Sequence, residues 1–153
     1  MAAPGKRLPA FAKKALNPYV DEATALASEF LREAKARFDA ELTYDLDAVR
    51  TLDRVCRYNR AAFDDGLILK AGFFLGEVLR RAYGGKYQWD ARLKALSLRV
   101  GDLVAFPVEK ARKVVGERDG GTFEEYLMVF AKKLADRRRA RGDGGPGAKG
   151  EKP

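Results

Sequence analysis

The stretch AGFFLGEVLRRAYGGKYQWD, Ala71 to Asp90, decides how the rest of the chain is read. It places two glycines four residues apart in an apolar run, follows the second with Glu77, and halts on Gly84-Gly85. Three structures could use that pattern: a membrane helix, a site around Glu77, or a tightly packed core helix. A membrane span fails, because Lys70, Glu77, Arg80 and Arg81 interrupt the segment well short of the ~18 apolar residues that crossing a bilayer requires. Leu67, Ile68, Ala71, Phe73, Phe74, Leu75, Val78 and Leu79 instead cover nearly the whole circumference, the mark of a helix buried on all sides. Each interior glycine costs roughly 1 kcal/mol of helix propensity relative to alanine, so Gly72 and Gly76 predict close approach by another element. Gly84-Gly85 then supplies a left-handed C-terminal stop.

Upstream of this helix the period is also helical. Asn17-Pro18 reads as a cap followed by a first-turn proline, and Ala23, Leu26, Phe30, Ala34 and Phe38 form one stripe of a helix over about 18 to 40. Asp45 is the expected cap of a second helix whose inner face carries Leu46, Val49, Leu52 and Val55, with Cys56 beside it as a small buried hydrophobe. Asp64-Asp65 can cap the third. Downstream the period changes to two. Tyr87-Gln88-Trp89 and Leu96 to Val100 alternate, and Gly101-Asp102 suits a two-residue hairpin turn into Leu103 to Phe106. Pro107 ends that strand and opens a helix near Val108 to Val115, while Thr122-Phe123-Glu124-Glu125 is a capping box ahead of Phe123, Tyr126, Leu127, Phe130 and Leu134. The expected fold is α+β: three N-terminal helices, a small three-stranded antiparallel meander and two C-terminal helices. Residues 1–16 read as a basic flexible arm, 17–136 as a single domain, and 137–153 as a disordered basic tail rich in Gly and Pro.

Composition narrows the chemistry further. The 153 residues hold one cysteine and no histidine, which removes an internal disulfide, a multi-cysteine metal site, and nucleophile pairs that depend on histidine. No cofactor or metal is expected. Formal charge is +8, of which residues 1–20 contribute +4 and residues 132–153 contribute +5, leaving the intervening chain at −1. Basicity is thus expected at the ends, not in a groove built into the fold. The N-terminal MAAPGKRLPAFAKKAL is a poor secretory signal, interrupted by Lys13-Lys14 and two prolines, which makes the cytoplasm the expected compartment and a membrane an unexpected partner.

Few residues invite a chemical role. Burial would raise the pKa of Glu77 toward that of a general acid, whereas Arg80 and Arg81, three and four residues on, would make it half of a buried ion pair. Adjacent Asp64-Asp65 act more simply as caps than as metal ligands. GERDGG, residues 116–121, and GGKY, residues 84–87, lack the phosphate-cradling pattern, and Arg141-Gly142-Asp143 is a tripeptide that chance composition explains. Tyr83, Tyr87 and Trp89 gather at the helix-to-strand junction, where they either close one end of the core or offer an aromatic contact surface. Arg137, Arg138, Arg139 and Arg141 either continue the last helix into solvent or form an arm that binds polyanions weakly.

TYDLDAVRTLDR, GFFLGEVLRRAYGGKYQWD and LRVGDLVAFPVEKARKVVGE, in that order, resemble a set of uncharacterised bacterial domains. These share an LDR helix, a GEVLRR-GG-Trp helix-strand unit and a strand entering a proline-led helix. The resemblance covers about residues 42 to 130. It implies a bacterial cytoplasmic α+β domain and transfers no functional residue. The expected function is a non-catalytic protein-interaction module, an immunity-like or regulatory partner of another protein. The alternative is a nucleic-acid-associated protein that binds through its basic terminal arms.

Overall fold

An acid just ahead of an apolar periodic run can satisfy the first free backbone N–H groups of a helix, and two acids do so in this chain. Asp45 accepts from Ala48 N at 2.9 Å and starts α2, Leu46–Asn59; Asp64 accepts from Leu67 N at 2.9 Å and starts α3, Asp65–Tyr83. The structure, a computed structural model, describes residues 17–142 except 94 and 118. The first helix, α1, spans Asn17–Phe38, ending two residues before the expected boundary because Asp39 adopts a left-handed φ of 55°. A short 3₁₀ turn, Arg60–Ala62, follows α2 and had no signal in the periodicity.

Gly84, with φ 86°, ends α3 and leads into the meander β1, Lys86–Asp90, β2, Ala95–Val100, and β3, Leu103–Ala105, in spatial order β1-β2-β3. Both pairings are antiparallel, with Lys86 opposite Arg99, Gln88 opposite Ser97, and Val100 opposite Leu103. Gly101, at φ 65°, makes the two-residue turn between β2 and β3 that its neighbour Asp102 completes. Pro107 opens α4, Pro107–Gly116, and Thr122 with Glu125 forms a complete capping box at the start of α5, Phe123–Ala140. The α+β order of three helices, meander and two helices is therefore the observed one.

Helix α3 is the centre of the molecule. It packs against α1 on one side and α4 on the other, and its residues from Ala71 to Leu79 are all buried. The two glycines admit different neighbours. A Cβ on Gly72 would come within 2.6 Å of Val108 Cα, so α4 lies backbone to backbone against α3 at this point. A Cβ on Gly76 would collide with the Tyr87 hydroxyl and stand 3.1 Å from its ring, so here the missing side chain makes room for β1. Around them Phe30 and Phe74 meet at 5.6 Å between ring centres, Phe38 stacks on Phe63, and Leu98, Val100 and Ala105 bring the inner sheet face into the same core. Each large side chain so buried contributes roughly 1.5–3 kcal/mol.

The last helix corrects one expected boundary. Composition predicts a disordered tail from Arg137 onward, but Arg137, Arg138 and Arg139 are the last turn of α5. Arginine is a good helix former and suits the negative end of the helix dipole, so glycine and proline content, which begins only at Gly142, was the sounder marker. The part of the expected tail from residue 143, like the expected arm over residues 1–16, lies outside the described residues.

Candidate functional site

Helix spacing alone puts Glu77, Arg80 and Arg81 on one face, and the fold buries only the acid. Glu77 has 0 % exposure, while its two arginines stay partly in water. Arg80 grips the carboxylate with both arms of its guanidinium, Nε to Oε2 at 2.8 Å and Nη2 to Oε1 at 2.9 Å, and Arg81 Nε adds a contact to Oε1 at 3.3 Å. The Tyr87 hydroxyl donates to Oε2 at 3.4 Å from β1, across the gap that Gly76 leaves open. Burial pushes the Glu77 carboxyl upward, but the hydrogen bonds and charges of Arg80 and Arg81 outweigh it and hold the group below the usual range. That direction is the reverse of what a general acid at neutral pH needs. Burial followed by the charge of Glu77 raises the Tyr87 phenol, so it stays a neutral donor. Arg81 also lies over the Tyr44 ring at 4.0 Å, linking the clamp to the loop before α2.

Of the three aromatic residues named from the sequence, Tyr87 and Trp89 lean on one small core from the same strand, while Tyr83 packs elsewhere. Tyr83 packs against Phe130 of α5 at 6.0 Å, Tyr87 against Phe73 at 6.0 Å, and Trp89 joins a second small core with Ala23, Ala27, Leu96 and Val108. All three are half-buried. Cys56 is buried, and its thiol is pushed up to about 12, chiefly by that burial. Among the described residues no group of three or more His, Cys, Asp or Glu side chains could hold a metal ion, and no helix is long and apolar enough to cross a membrane.

Two arginines of the C-terminal run, Arg137 and Arg141, are held by the meander. Asp102, in the turn between β2 and β3, meets Arg137 at 3.1 Å and Arg141 at 3.3 Å, and Arg139 pairs with Asp136 at 2.6 Å. Desolvation opposes the charge on Asp102, but Arg137 and then Arg141 bring its carboxyl below the usual range.

Residues that sequence reasoning passed over lie on the outer face of α5. Met128 is 52 % exposed and Val129 50 %, because Phe123, Leu127, Phe130 and Leu134 turn the opposite face inward. Met128 borders two grooves. One, of about 340 Å³, is lined by Tyr44, Leu46 and Tyr83 among others; the second, of about 570 Å³, contains Lys110, Glu124, Tyr126 and Val129. A third groove of about 630 Å³ continues past Tyr126 to Phe106, Ala95 and the exposed Leu93. The signal for this strip was available in the spacing: positions 128 and 129 fall outside the buried stripe of α5. The start of α5 is firmly seated, since both Asp53 oxygens accept its backbone N–H groups, Phe123 N at 2.7 Å and Glu124 N at 2.9 Å. No family model, no curated protein and no solved structure matches the chain.

Proposed function

We propose that the chain is a non-catalytic protein-interaction module, a regulatory or immunity-like partner that presents the outer face of α5 to another protein. The observation that carries this reading is the pair Met128 and Val129, half exposed side by side, with Met128 bordering two grooves and Val129 one of them. Apolar side chains flanked by aromatic walls and a charged rim of Lys110, Glu124 and Glu125 have the anatomy of a recognition surface. A firm base favours that use. The capping box, the Asp53 carboxylate and buried Phe123 fix the first turn of α5, so little ordering entropy is lost on docking. The clamp at Glu77 supports the non-catalytic part of the reading, because its acid is sealed from solvent and already satisfied.

The test is affinity purification of the full chain from its host beside a Met128→Glu, Val129→Glu double variant. A partner that is retained at equal stoichiometry by the wild type and lost by the variant, with thermal unfolding unchanged, is the expected result. Recovery of both proteins alone and monomeric would sink the proposal.

A further inference from the structure

The open end of the meander has a charge arrangement that its own fold does not resolve. Lys86 and Arg99 stand directly opposite each other on β1 and β2, both exposed on the face turned away from Leu98 and Val100. Like charges in that position repel. Neither is paired with a carboxylate among the described residues, and the same holds for Arg138 on α5. Two residues after Arg99 comes the Gly101-Asp102 turn, whose single carboxylate draws Arg137 and Arg141 to it. The last turn of α5 is thereby tied to the end of the meander at which Lys86 and Arg99 stand opposite each other. This end of the meander and the last turn of α5 together carry Lys86, Arg99, Arg137, Arg138, Arg139 and Arg141, of which Arg137 and Arg141 pair with Asp102 and Arg139 with Asp136. Favourable interaction with the helix dipole explains arginines in the last turn of α5, but it does not explain two cations facing each other across strands.

We propose that this end, built from the Lys86 and Arg99 pair and the last turn of α5, is a docking site for the phosphate backbone of nucleic acid. Guanidinium groups match phosphate oxygens bidentately, and cations distributed over two strands and a helix follow a charged backbone better than they fit one small anion. The site differs from a flexible tail in a checkable way. Beyond residue 142 the chain carries two lysines and two acids, so the net basic charge of the C-terminal run belongs to the helix. An anionic membrane is the weaker candidate because insertion needs apolar side chains at the site. Among the described residues the exposed large hydrophobic ones, Tyr58, Leu93, Met128 and Val129, all lie elsewhere. The site is also separate from the apolar strip of α5, so either can fail alone.

Fluorescence anisotropy of the full chain with a labelled duplex, at about 50 mM and about 200 mM salt, tests the site. Engagement of about four phosphates predicts a roughly 150-fold loss of affinity across that range. Lys86→Glu places an acid opposite Arg99, which keeps the hairpin paired and serves as the variant that folds. It should weaken binding at least about tenfold and flatten the salt dependence by about two counterions. A chain ending at Gly142 should bind within about twofold of the full chain, since only the balanced segment is lost. The site is overturned if Lys86→Glu binds like wild type, if removal of residues 143–153 or 1–16 abolishes binding, or if only phosphatidylserine vesicles are bound.

Discussion

Two regions of this molecule bring arginines together, and they resolve the charge in opposite ways. At the end of α3 two guanidiniums share one buried acid, and the tyrosine of a neighbouring strand completes its hydrogen bonds. At the open end of the meander Lys86 faces Arg99 with no acid between them, and Asp102 serves two arginines at once. The first arrangement is closed: removing any member strands a partner. The second is open, with cations in excess, and its members can be changed without leaving anything buried and unpaired. Stability should therefore be concentrated at the first and binding at the second.

The largest effect is expected from breaking the clamp. Arg80→Leu leaves the buried Glu77 carboxylate with Arg81 and Tyr87 alone and should cost about 2 kcal/mol at pH 7. This falls below the full cost of a stranded buried charge because Arg81 remains and Arg80 is itself 37 % exposed. Its pH dependence gives a second handle. Since Glu77 has its pKa lowered from the ordinary 4.5, its contribution in the wild type is present above that value and is lost as pH falls through the folded-state pKa. In Arg80→Leu only Arg81 still holds the carboxyl down, so the deficit against wild type should narrow on acidification. Denaturant unfolding of both proteins at pH 7 and near pH 4 measures it; a constant difference would mean that Arg80 acts by packing alone.

A smaller loss should follow when the clamp is loosened from its far side. Gly76→Ala forces the Tyr87 ring away from Glu77 while gaining about 1 kcal/mol of helix propensity, and the net should be a destabilisation of about 1 kcal/mol. Thermal unfolding reads this directly, and a stabilised variant would show that the tyrosine hydroxyl contributes little to the clamp.

At the open end the sign reverses. Lys86→Glu should raise stability by about 0.5 kcal/mol, because a cross-strand repulsion becomes an ion pair with Arg99. A loss of stability would show that Lys86 has a role inside the fold. Least of all should come from Arg138→Gln, which is expected to leave the unfolding midpoint within about 0.5 kcal/mol of wild type while weakening nucleic-acid binding. Together the last two measurements ask whether this end spends stability on recognition.

The clamp was partly legible from the sequence, because acid and arginines lie three and four residues apart on one helix, and such neighbours meet whatever surrounds them. The contribution of Tyr87 was not, since it depends on β1 crossing α3 at Gly76. Both glycines signalled close approach correctly, yet nothing local told that one would admit a helix backbone and the other a phenol. For the aromatic trio the sequence left two uses open, and the fold packs Tyr87 and Trp89 of β1 on one small core and Tyr83, at the end of α3, against Phe130. The run from Arg137 to Arg141 was ambiguous in isolation, as charge density suits both a solvated helix and a tail.

Short-range interactions settled the element types in advance: the acids that cap α2 and α3, the capping box of α5, the glycine that stops α3 and the turn between β2 and β3 all act within about four residues. Which cations find an acid and which are left facing solvent was decided only by the tertiary structure. Strand register sets Lys86 against Arg99, and the docking of α5 carries Arg141 to an aspartate 39 residues earlier in the chain. Electrostatic pairing depends on distance in space, and over such separations distance in sequence does not determine it.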